Sequence, residues 1–281
     1  MKTTNNQGLP QAFVEAVTVK RHNKPGCYSA TTLLKGACEA ILEKRHFDEI
    51  EVDAADSIWT VFGSAVHAIF EKQQDSSFKE EYFEVQVTKD SKVTGRVDCY
   101  DLENEILYDW KTASVWKVQF KDFEDWRKQG LIYAWLMEQN NLNVKKVVFH
   151  ALLKDHSKSK ARHDSQYPQN PVFTYTVEVT EEALEEIEKF IKSKVALLEA
   201  AETVSDSDLI PCDEKERWAS PEKWAVMKNG RKTALKLCDS EEEAMTVKAE
   251  KGGDYIEHRP GESKKCEDYC NVCQWCPFRN K

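Results

Sequence analysis

Two carboxylates and a lysine stand at a spacing that could do chemistry. Asp98 ends the run Gly95-Arg96-Val97-Asp98, and Asp109-Trp110-Lys111-Thr112 follows ten residues later. Both runs read as strands, Val93–Asp101 and Glu105–Thr112, joined near Glu103-Asn104. Side chains alternate along a strand, so Asp109 and Lys111 share a face. An even-length turn centred on Glu103-Asn104 sets Asp98 directly opposite Asp109. Cβ atoms of such partners lie about 4.5–5.5 Å apart, and like charges there destabilise the sheet. A cation between them removes that cost. Mg²⁺ or Mn²⁺ bound by one or two carboxylates plus a substrate phosphate fits the pattern. Lys111, diagonal to Asp98, could then orient or activate a water. The same alternation also fits a solvated sheet face, and another register would separate the two acids.

A second constellation lies at the far end. Nine cysteines are present, and four of them form Cys266-x3-Cys270-x2-Cys273-x2-Cys276-Pro277. Short spacings of this kind suit a tetrahedral zinc site or an iron–sulfur cluster, and spacing alone does not separate the two. Trp275 and Phe278 would shield such a centre. Cys27, Cys99, Cys212 and Cys238 read as ordinary thiols, with Cys99 on the face opposite Asp98.

The elements that must position these residues follow from hydrophobic periodicity. Leu33, Leu34, Ala37, Cys38, Ile41 and Leu42 predict one helix over Ser29–His46. A second is predicted over Ile58–Gln74, with Phe62, Ala65, Val66, Ile69 and Phe70 inward. A strand at Tyr82–Thr88 precedes the two acidic strands. A helix over Phe123–Gln139 and strands at Lys145–Lys154 and Val172–Val179 come after them. Thr180 caps a long helix with Glu181 and Glu182 in its first turn, where the helix dipole favours acids. Leu184, Ile187, Ile191, Val195 and Leu198 form its buried stripe. Lys154–Gln169 is polar and basic, and reads either as a solvated loop or as one that touches phosphates. Asn229-Gly230 predicts a tight hairpin between Trp224–Lys228 and Lys232–Cys238. A short helix opening at Asp239 and a strand at Tyr255–Glu257 complete a ββαβ unit.

The ordered set resembles the PD-(D/E)XK nuclease superfamily, and within it the RecB-like exonucleases common in phages. Gly63-Ser64-Ala65-Val66-His67-Ala68-Ile69-Phe70-Glu71 is similar to the family's G-x-x-x-H-x-x-x-E helix. Gly95–Asp98 resembles its G-R-[VI]-D strand, Asp109–Thr112 its D-x-K-T strand, and Gln129–Tyr133 its Q-x-x-x-Y helix. The resemblance spans about Ser29–Val179 plus the C-terminal cysteines. It implies an α/β restriction-endonuclease-like core, a central mixed β-sheet flanked by helices. It implies a divalent cation, Mg²⁺ or Mn²⁺, held by His67, Asp98, Asp109 and the Trp110 carbonyl oxygen. Asp98, Asp109, Lys111, Gln129 and Tyr133 would form the catalytic set. Gly63, His67 and Glu71 share one helix face at i, i+4 spacing, with Gly63 allowing close approach to the sheet. Without the family, His67 reads as a core histidine, Glu71 as a solvated residue, and Gln129 and Tyr133 as a helix face with a buried tyrosine.

The resemblance also implies a [4Fe–4S] cluster, with Cys38 from the N-terminal helix joining Cys266, Cys270 and Cys276. Cys273 is extra to that pattern and makes a local four-cysteine site possible, with Zn²⁺ as the alternative metal. The expected division is 1–210 for the nuclease core, 211–262 for the small ββαβ insertion, and 263–281 for the C-terminal cysteine cluster packing back on the core. The implied activity is DNA exonuclease, on single strands or duplex ends, in recombination, repair or phage DNA metabolism. DNA and phage or host recombination proteins are the implied partners. A structure-specific endonuclease and a non-catalytic nucleic-acid-binding module are the competing readings.

Composition bounds these expectations. The chain has 281 residues, a formal net charge of -9, and 41% hydrophobic and 32% charged residues. That excludes a collagen-like or largely disordered chain. No apolar run is long enough for a membrane span, and the first residues carry no secretory signal, so a cytoplasmic protein is expected (in a host's cytoplasm if viral). The excess of acid argues against indiscriminate polyanion binding and leaves room for a local basic rim.

Overall fold

The Gly36 backbone breaks the first predicted helix. Its extended ψ of 141° makes it an N-cap, so Ser29–His46 folds as two helices, α2 (Ala30–Leu33) and α3 (Ala37–Arg45). The computed structural model of the protein describes residues 1–18, 24–72 and 77–279. They divide into two units, Met1–Leu209 and Ile210–Lys281.

The first unit opens with β1 (Lys2–Thr4), α1 (Gln11–Val17), β2 (Cys27–Ser29), the two helices above and β3 (Glu51–Asp53). β1 and β3 form a small parallel pair. Next come α4 (Ile58–Glu71), β4 (Phe78–Gln86), β5 (Lys92–Asp101), β6 (Ile106–Ala113), α5 (Val115–Gln119) and α6 (Glu124–Glu138). β7 (Lys146–Leu153), α7 (Lys158–His163), β8 (Val172–Glu178) and α8 (Glu181–Glu202) complete it. The predicted ends of the second helix, Gln73 and Gln74, lie outside the described residues.

The fold is mixed α/β, a six-stranded mixed sheet flanked by helices. Strand order is β2-β5-β6-β7-β8, with β4 also on β5. β6–β7 and β2–β5 are parallel; β4–β5, β5–β6 and β7–β8 are antiparallel. β4 runs along one edge of β5. The other edge is shared, with β2 on Lys92–Thr94 and β6 on Cys99–Asp101. That leaves Gly95–Asp98 between two strand ends, facing neither ladder.

Packing holds α6 tightly on this gap. A Cβ at Gly95 would lie 2.7 Å from Leu136 Cδ1 and 2.9 Å from Tyr133 Cδ1. A Cβ at Gly130 would meet Phe149 at 2.8 Å. Gly63, expected to allow a close approach, does not make one: its nearest neighbour would be Thr112 Oγ1 at 3.7 Å, an ordinary contact. α8 buries Ile187, Ile191, Val195 and Leu198 and is capped by the Thr180 hydroxyl, which accepts from the Ala183 N–H at 3.2 Å. Such a cap is worth about 1 kcal/mol.

Two expectations need correcting here. Of the five apolar residues predicted inward on α4, only Val66 is buried. Phe62 and Ile69 are exposed, because the helix lies against β6 along a narrow stripe where Phe70 stacks on Trp110. The polar Lys154–Gln169 stretch is not all loop. It contains α7, whose N-cap Ser157 hydroxyl accepts from the Lys160 N–H.

In the second unit the elements run β9 (Lys223–Met227), β10 (Lys236–Cys238), α9 (Glu241–Lys251), β11 (Tyr255–Arg259) and α10 (Lys264–Asp268). β9 is the central strand of an antiparallel sheet, with β10 and β11 on its edges. Val226, Cys238, Ala244 and Val247 make its core, with Trp224, Leu235 and Ile256 packed on them. The predicted two-residue hairpin does not form. Gly230 takes a left-handed φ of 81°, but Lys236 pairs with Val226, so Asn229-Gly230 turns inside a longer connection and does not set the register.

Candidate active site

The Asp101 side chain starts the turn that positions the acids. Its Oδ1 accepts the backbone N–H groups of Glu103 and Asn104, both at 3.1 Å, and Glu105 takes the left-handed φ of 58° that closes the turn. β5 and β6 then pair in the register the turn predicts: Asp101 with Ile106, Tyr100 with Leu107, Cys99 with Tyr108. The ladder stops one step before Asp98 and Asp109. There Asp98 Oδ2 accepts the Trp110 backbone N–H at 2.8 Å, so a carboxylate replaces the missing ladder bond. This fixes Asp98 beside Asp109 without regular strand pairing.

Asp109 is buried, with 2% of its surface exposed. Burial, helped by the Asp98 charge, pushes its carboxyl up to about 6 against the pull of Lys111. Lys111 Nζ lies 2.6 Å from Asp109 Oδ1, an ion pair inside the sheet that offsets part of the cost of burying the carboxylate. Lys111 donates to Gln129 Oε1 at 2.9 Å, and Gln129 Nε2 donates to the Tyr133 hydroxyl at 3.0 Å. Gln129 and Tyr133 stand one turn apart on α6, so one helix face orients the lysine. Burial also raises the Tyr133 phenol, which therefore stays neutral.

α4 brings His67 to the other side of Asp98. Its Nδ1 lies 3.4 Å from Asp98 Oδ1 and 3.8 Å from Glu80 Oε1. The Asp98 carboxylate holds the imidazole above its usual range, against the effect of burial. Glu71 is exposed at the helix end. The Trp110 ring stacks between Phe70, at 4.5 Å, and His150, at 5.6 Å. The structure thus brings His67, Asp98, Asp109, Lys111, Gln129 and Tyr133 together.

Sequence reasoning missed Glu80. It sits in β4 with a left-handed φ of 54°, which costs a non-glycine residue about 1–3 kcal/mol. Burial and the Asp98 charge both push its carboxyl up. His67, Glu80 and Asp98 form the one group among the described residues whose donor atoms, with three or more His, Cys, Asp or Glu, lie within 4.8 Å of one another. No motif marks Glu80; only the strand register places it.

In the second unit burial pushes the Cys266 thiol up, and so do neighbouring Cys273, Cys212 and Cys276. Cys212 thus joins the group that spacing confined to the C-terminal four. The backbone explains why. Lys265 N–H donates to the Arg217 carbonyl at 3.1 Å, and Ala219 bridges to Ser263, so the segment after Cys212 is fastened to α10. Tetrahedral zinc with bonds of about 2.3 Å would draw sulfurs to within roughly 4 Å of one another. No three thiols among the described residues come within 4.8 Å. In the first unit Cys38 is buried on α3.

No protein-family model matches the chain, and no curated protein matches its sequence. Among solved structures, the protein SSO0001 is similar in shape at 15% identity, covering 66% of this chain and 84% of its own, with a TM-score of 0.47. A phage related exonuclease from Haemophilus somnus 129PT is similar at 13% identity, covering 70% of this chain and 90% of its own, with a TM-score of 0.33. Both scores lie below 0.5, so the functional reading rests on this chain's own residues.

Proposed function

We propose that the protein is a divalent-metal-dependent DNA exonuclease of the PD-(D/E)XK type, in its RecB-like branch, acting on single strands or duplex ends. One observation carries this reading: Asp98 lies between His67 and the buried Asp109, while Lys111, 2.6 Å from Asp109, is held by Gln129, which donates in turn to Tyr133. Carboxylates brought so close repel one another, and a cation between them removes that cost.

His67, Asp98 and Asp109, with the Trp110 carbonyl oxygen, would hold Mg²⁺ or Mn²⁺, which polarises a phosphate and acidifies a water. The chain's own groups do the rest. Asp98 is locked by the Trp110 N–H, so it need not reorganise when substrate arrives. Lys111 offers its remaining protons to an attacking water or to a phosphate oxygen that gains charge. Gln129 fixes the lysine's direction, and Tyr133 fixes the amide.

Substrate contacts follow the same logic. Lys154 Nζ lies 4.0 Å from the centre of the Trp59 ring, and Trp59, Trp116 and Phe120 are exposed. Exposed rings beside cations suit unpaired bases, each stacking contact being worth about 1–3 kcal/mol. A cleft of about 770 Å³, lined by Lys24, Ser29, Thr31, Thr32, Arg96 and Tyr133, offers hydroxyls and cations for a phosphate backbone. No helix among the described residues is long and apolar enough to cross a membrane.

The proposed division assigns 1–210 to the nuclease, 211–262 to a ββαβ insertion and 263–281 to a cysteine segment. Cys266, Cys270, Cys273 and Cys276 would carry a structural [4Fe–4S] cluster, with Zn²⁺ as the alternative metal. A brown protein whose visible absorbance bleaches on reduction is expected, and a colourless zinc protein would refute the cluster.

The activity is tested with purified protein, Mg²⁺ or Mn²⁺, and end-labelled linear and circular single-stranded DNA. Linear DNA is expected to shorten from an end while circles survive. Cut circles would show an endonuclease. No cleavage with either metal would sink the proposal.

A further inference from the structure

Cys212 opens a tight turn in the second unit. Asp213 Oδ1 accepts the Glu216 N–H at 2.7 Å, and Glu216 Oε2 accepts the Asp213 N–H at 3.0 Å, a reciprocal capping box. The Arg217 N–H then bonds back to the Asp213 carbonyl at 3.0 Å. The turn keeps Cys212 close to Arg217, where an extended chain of the same length could span about 17 Å. Arg217 is laced in turn to α10, the helix that carries Cys266. Its carbonyl accepts the Lys265 N–H at 3.1 Å, and its Nη1 donates to Ser263 Oγ at 3.2 Å. The Ser220 N–H donates to the Glu262 carbonyl at 2.9 Å, and Trp218 packs on Tyr269 with ring centroids 5.2 Å apart. The Cys212 turn is thus held against α10 at both of its ends. The chain after α10 is just as tightly wound: the Cys273 N–H donates to the Cys270 carbonyl at 3.2 Å, and the Cys276 N–H to the Cys273 carbonyl at 3.1 Å.

The thiols feel this arrangement. After burial, the charges that bear most on Cys266 are those of Cys273, Cys212 and Cys276, in that order. Cys212 therefore stands among the C-terminal thiols, although the sequence sets it far from all of them. Arg217 bears on the same thiol with the opposite sign. Its Nε is buried and has no hydrogen-bond partner among the described residues, a state that is rare for a buried N–H. The sulfurs of an iron–sulfur centre accept such bonds, and a nearby positive charge offsets the negative charge of the centre. The orphaned Nε is an observation separate from the thiols, and it points to the same ligand.

We propose that Cys212 is a ligand of the [4Fe–4S] cluster, together with Cys266, Cys273 and Cys276, in the place that spacing gives to Cys270. This rests on the cluster reading above. All four donors belong to the second unit, Ile210–Lys281, so the centre closes within it and needs neither Cys270 nor Cys38. Arg217 is a positioning residue: its backbone ties the Cys212 turn to α10, and its side chain offers the buried N–H.

The experiment uses the wild-type full chain, purified without oxygen, and reads metal and thiols, not cleavage. Iron, sulfide and zinc are measured first. The protein is then treated with iodoacetamide, and each cysteine peptide is followed by mass spectrometry. Cys212 and Cys270 are both half-buried, so without a ligand they should label alike. In the iron-loaded protein Cys212 should label at least about tenfold more slowly than Cys270, because a coordinated thiolate is not free to attack. Equal labelling, or protection of Cys270 instead, would overturn the assignment. Protection of Cys212 that survives removal of the iron would mean packing, and would overturn it too. Cys212→Ala should lose most of its iron and its absorbance near 400 nm, while Cys270→Ala keeps both. A Cys212→Ala protein with the iron content of the wild type would again overturn it. A wild type with neither iron nor zinc defeats the cluster reading and this one together. Zinc on the same four thiols defeats the cluster and keeps the ligand set. Iron with Cys212 labelled and Cys270 protected defeats Cys212 alone.

Discussion

Two histidine–carboxylate clusters in the first unit are built from the same residue types and reach opposite ends. At His46 every group is matched. Nδ1 meets Glu49 at 2.8 Å, Nε2 meets Asp206 at 2.8 Å, and Arg45 closes on the other Asp206 oxygen at 2.5 Å. Arg45 also donates to the carbonyls of Ala201, Glu202 and Val204 at the end of α8. At His67 the distances are 3.4 and 3.8 Å, and the nearest lysine, Lys111, is engaged by Asp109 and Gln129. The first cluster is an internally balanced clasp between α3 and the end of α8. The second gathers Glu80, Asp98 and Asp109 near His67, Lys111 and Arg96, but with longer contacts at the histidine. The lesson is that residue types do not identify a site; how tightly the charges are paired separates the two clusters.

The largest expected effect separates the two clusters by function. Asp98→Asn and Asp109→Asn should each cut DNA cleavage by about a thousandfold or more, since each removes a metal-binding oxygen. Arg45→Ala and Asp206→Asn should leave the rate per folded molecule within about twofold. Initial rates on end-labelled DNA decide this, and comparable losses in both sets would erase the contrast.

Next comes the lysine side. Lys111→Ala should lower cleavage by about 10²- to 10³-fold, as for removal of one transition-state donor. Gln129→Ala acts through Lys111 as a positioning change, and should lower it by about 10- to 100-fold. Gln129→Glu restores an acceptor and should recover part of the loss. Equal kcat in Gln129→Ala and the wild type would show that the Lys111–Gln129 bond is structural.

Stability should invert the ranking. Arg45→Ala removes charged hydrogen bonds that join α3 to α8, at a cost of about 1.5–3 kcal/mol. Mn²⁺ should raise the melting point of the wild type, by about 2.7 kcal/mol of stabilisation at a hundred times its Kd. Asp98→Asn should lose that response and Arg45→Ala should keep it. Differential scanning calorimetry with and without Mn²⁺ reads both.

How much of this was legible follows the regularity of the backbone. Asp98, Asp109 and Lys111 sit on strands of ordinary period, so spacing placed them together; Gln129 and Tyr133 joined them only through the family resemblance, since spacing alone made them a helix face with a buried tyrosine. The Asp101 turn fixed the register, and its chemistry is written in Asp101 and Asn104. Glu80 was hidden because the predicted strand begins at Tyr82, whereas β4 begins at Phe78, and its left-handed φ breaks the alternation that a strand reading assumes. The overcalled core of α4 has a different cause: its apolar face is wider than the stripe on β6 that covers it, and periodicity cannot tell a buried face from one left open. Gly36 was read as helical and acts as a cap, since a glycine leaves both options open. Cys212 is far from the other cysteines in sequence, and only the bonds between 217–220 and 262–265 bring it near.

The smallest expected effect is in pH. Burial acts against the His46 charge, but the hydrogen bonds to Asp206 and Glu49 outweigh it and raise the pKa above 6.5. A cation that binds its proton more tightly when folded adds stability in full below about pH 6.5, and that stability is lost as pH rises through the folded pKa. Asp206 behaves oppositely. The His46 and Arg45 hydrogen bonds hold it below 3.8, so its contribution is present above that value and lost on acidification through the folded pKa. The clasp is therefore strongest between roughly pH 4 and pH 6.5, and it loosens on the alkaline side first. The partly exposed partners limit the change to about 0.5–1 kcal/mol. His46→Gln should flatten the fall in melting point above pH 6.5 while leaving the Mn²⁺ response intact. An unchanged slope in that variant would assign the titration to another group and remove the charge-matching argument from the comparison with His67.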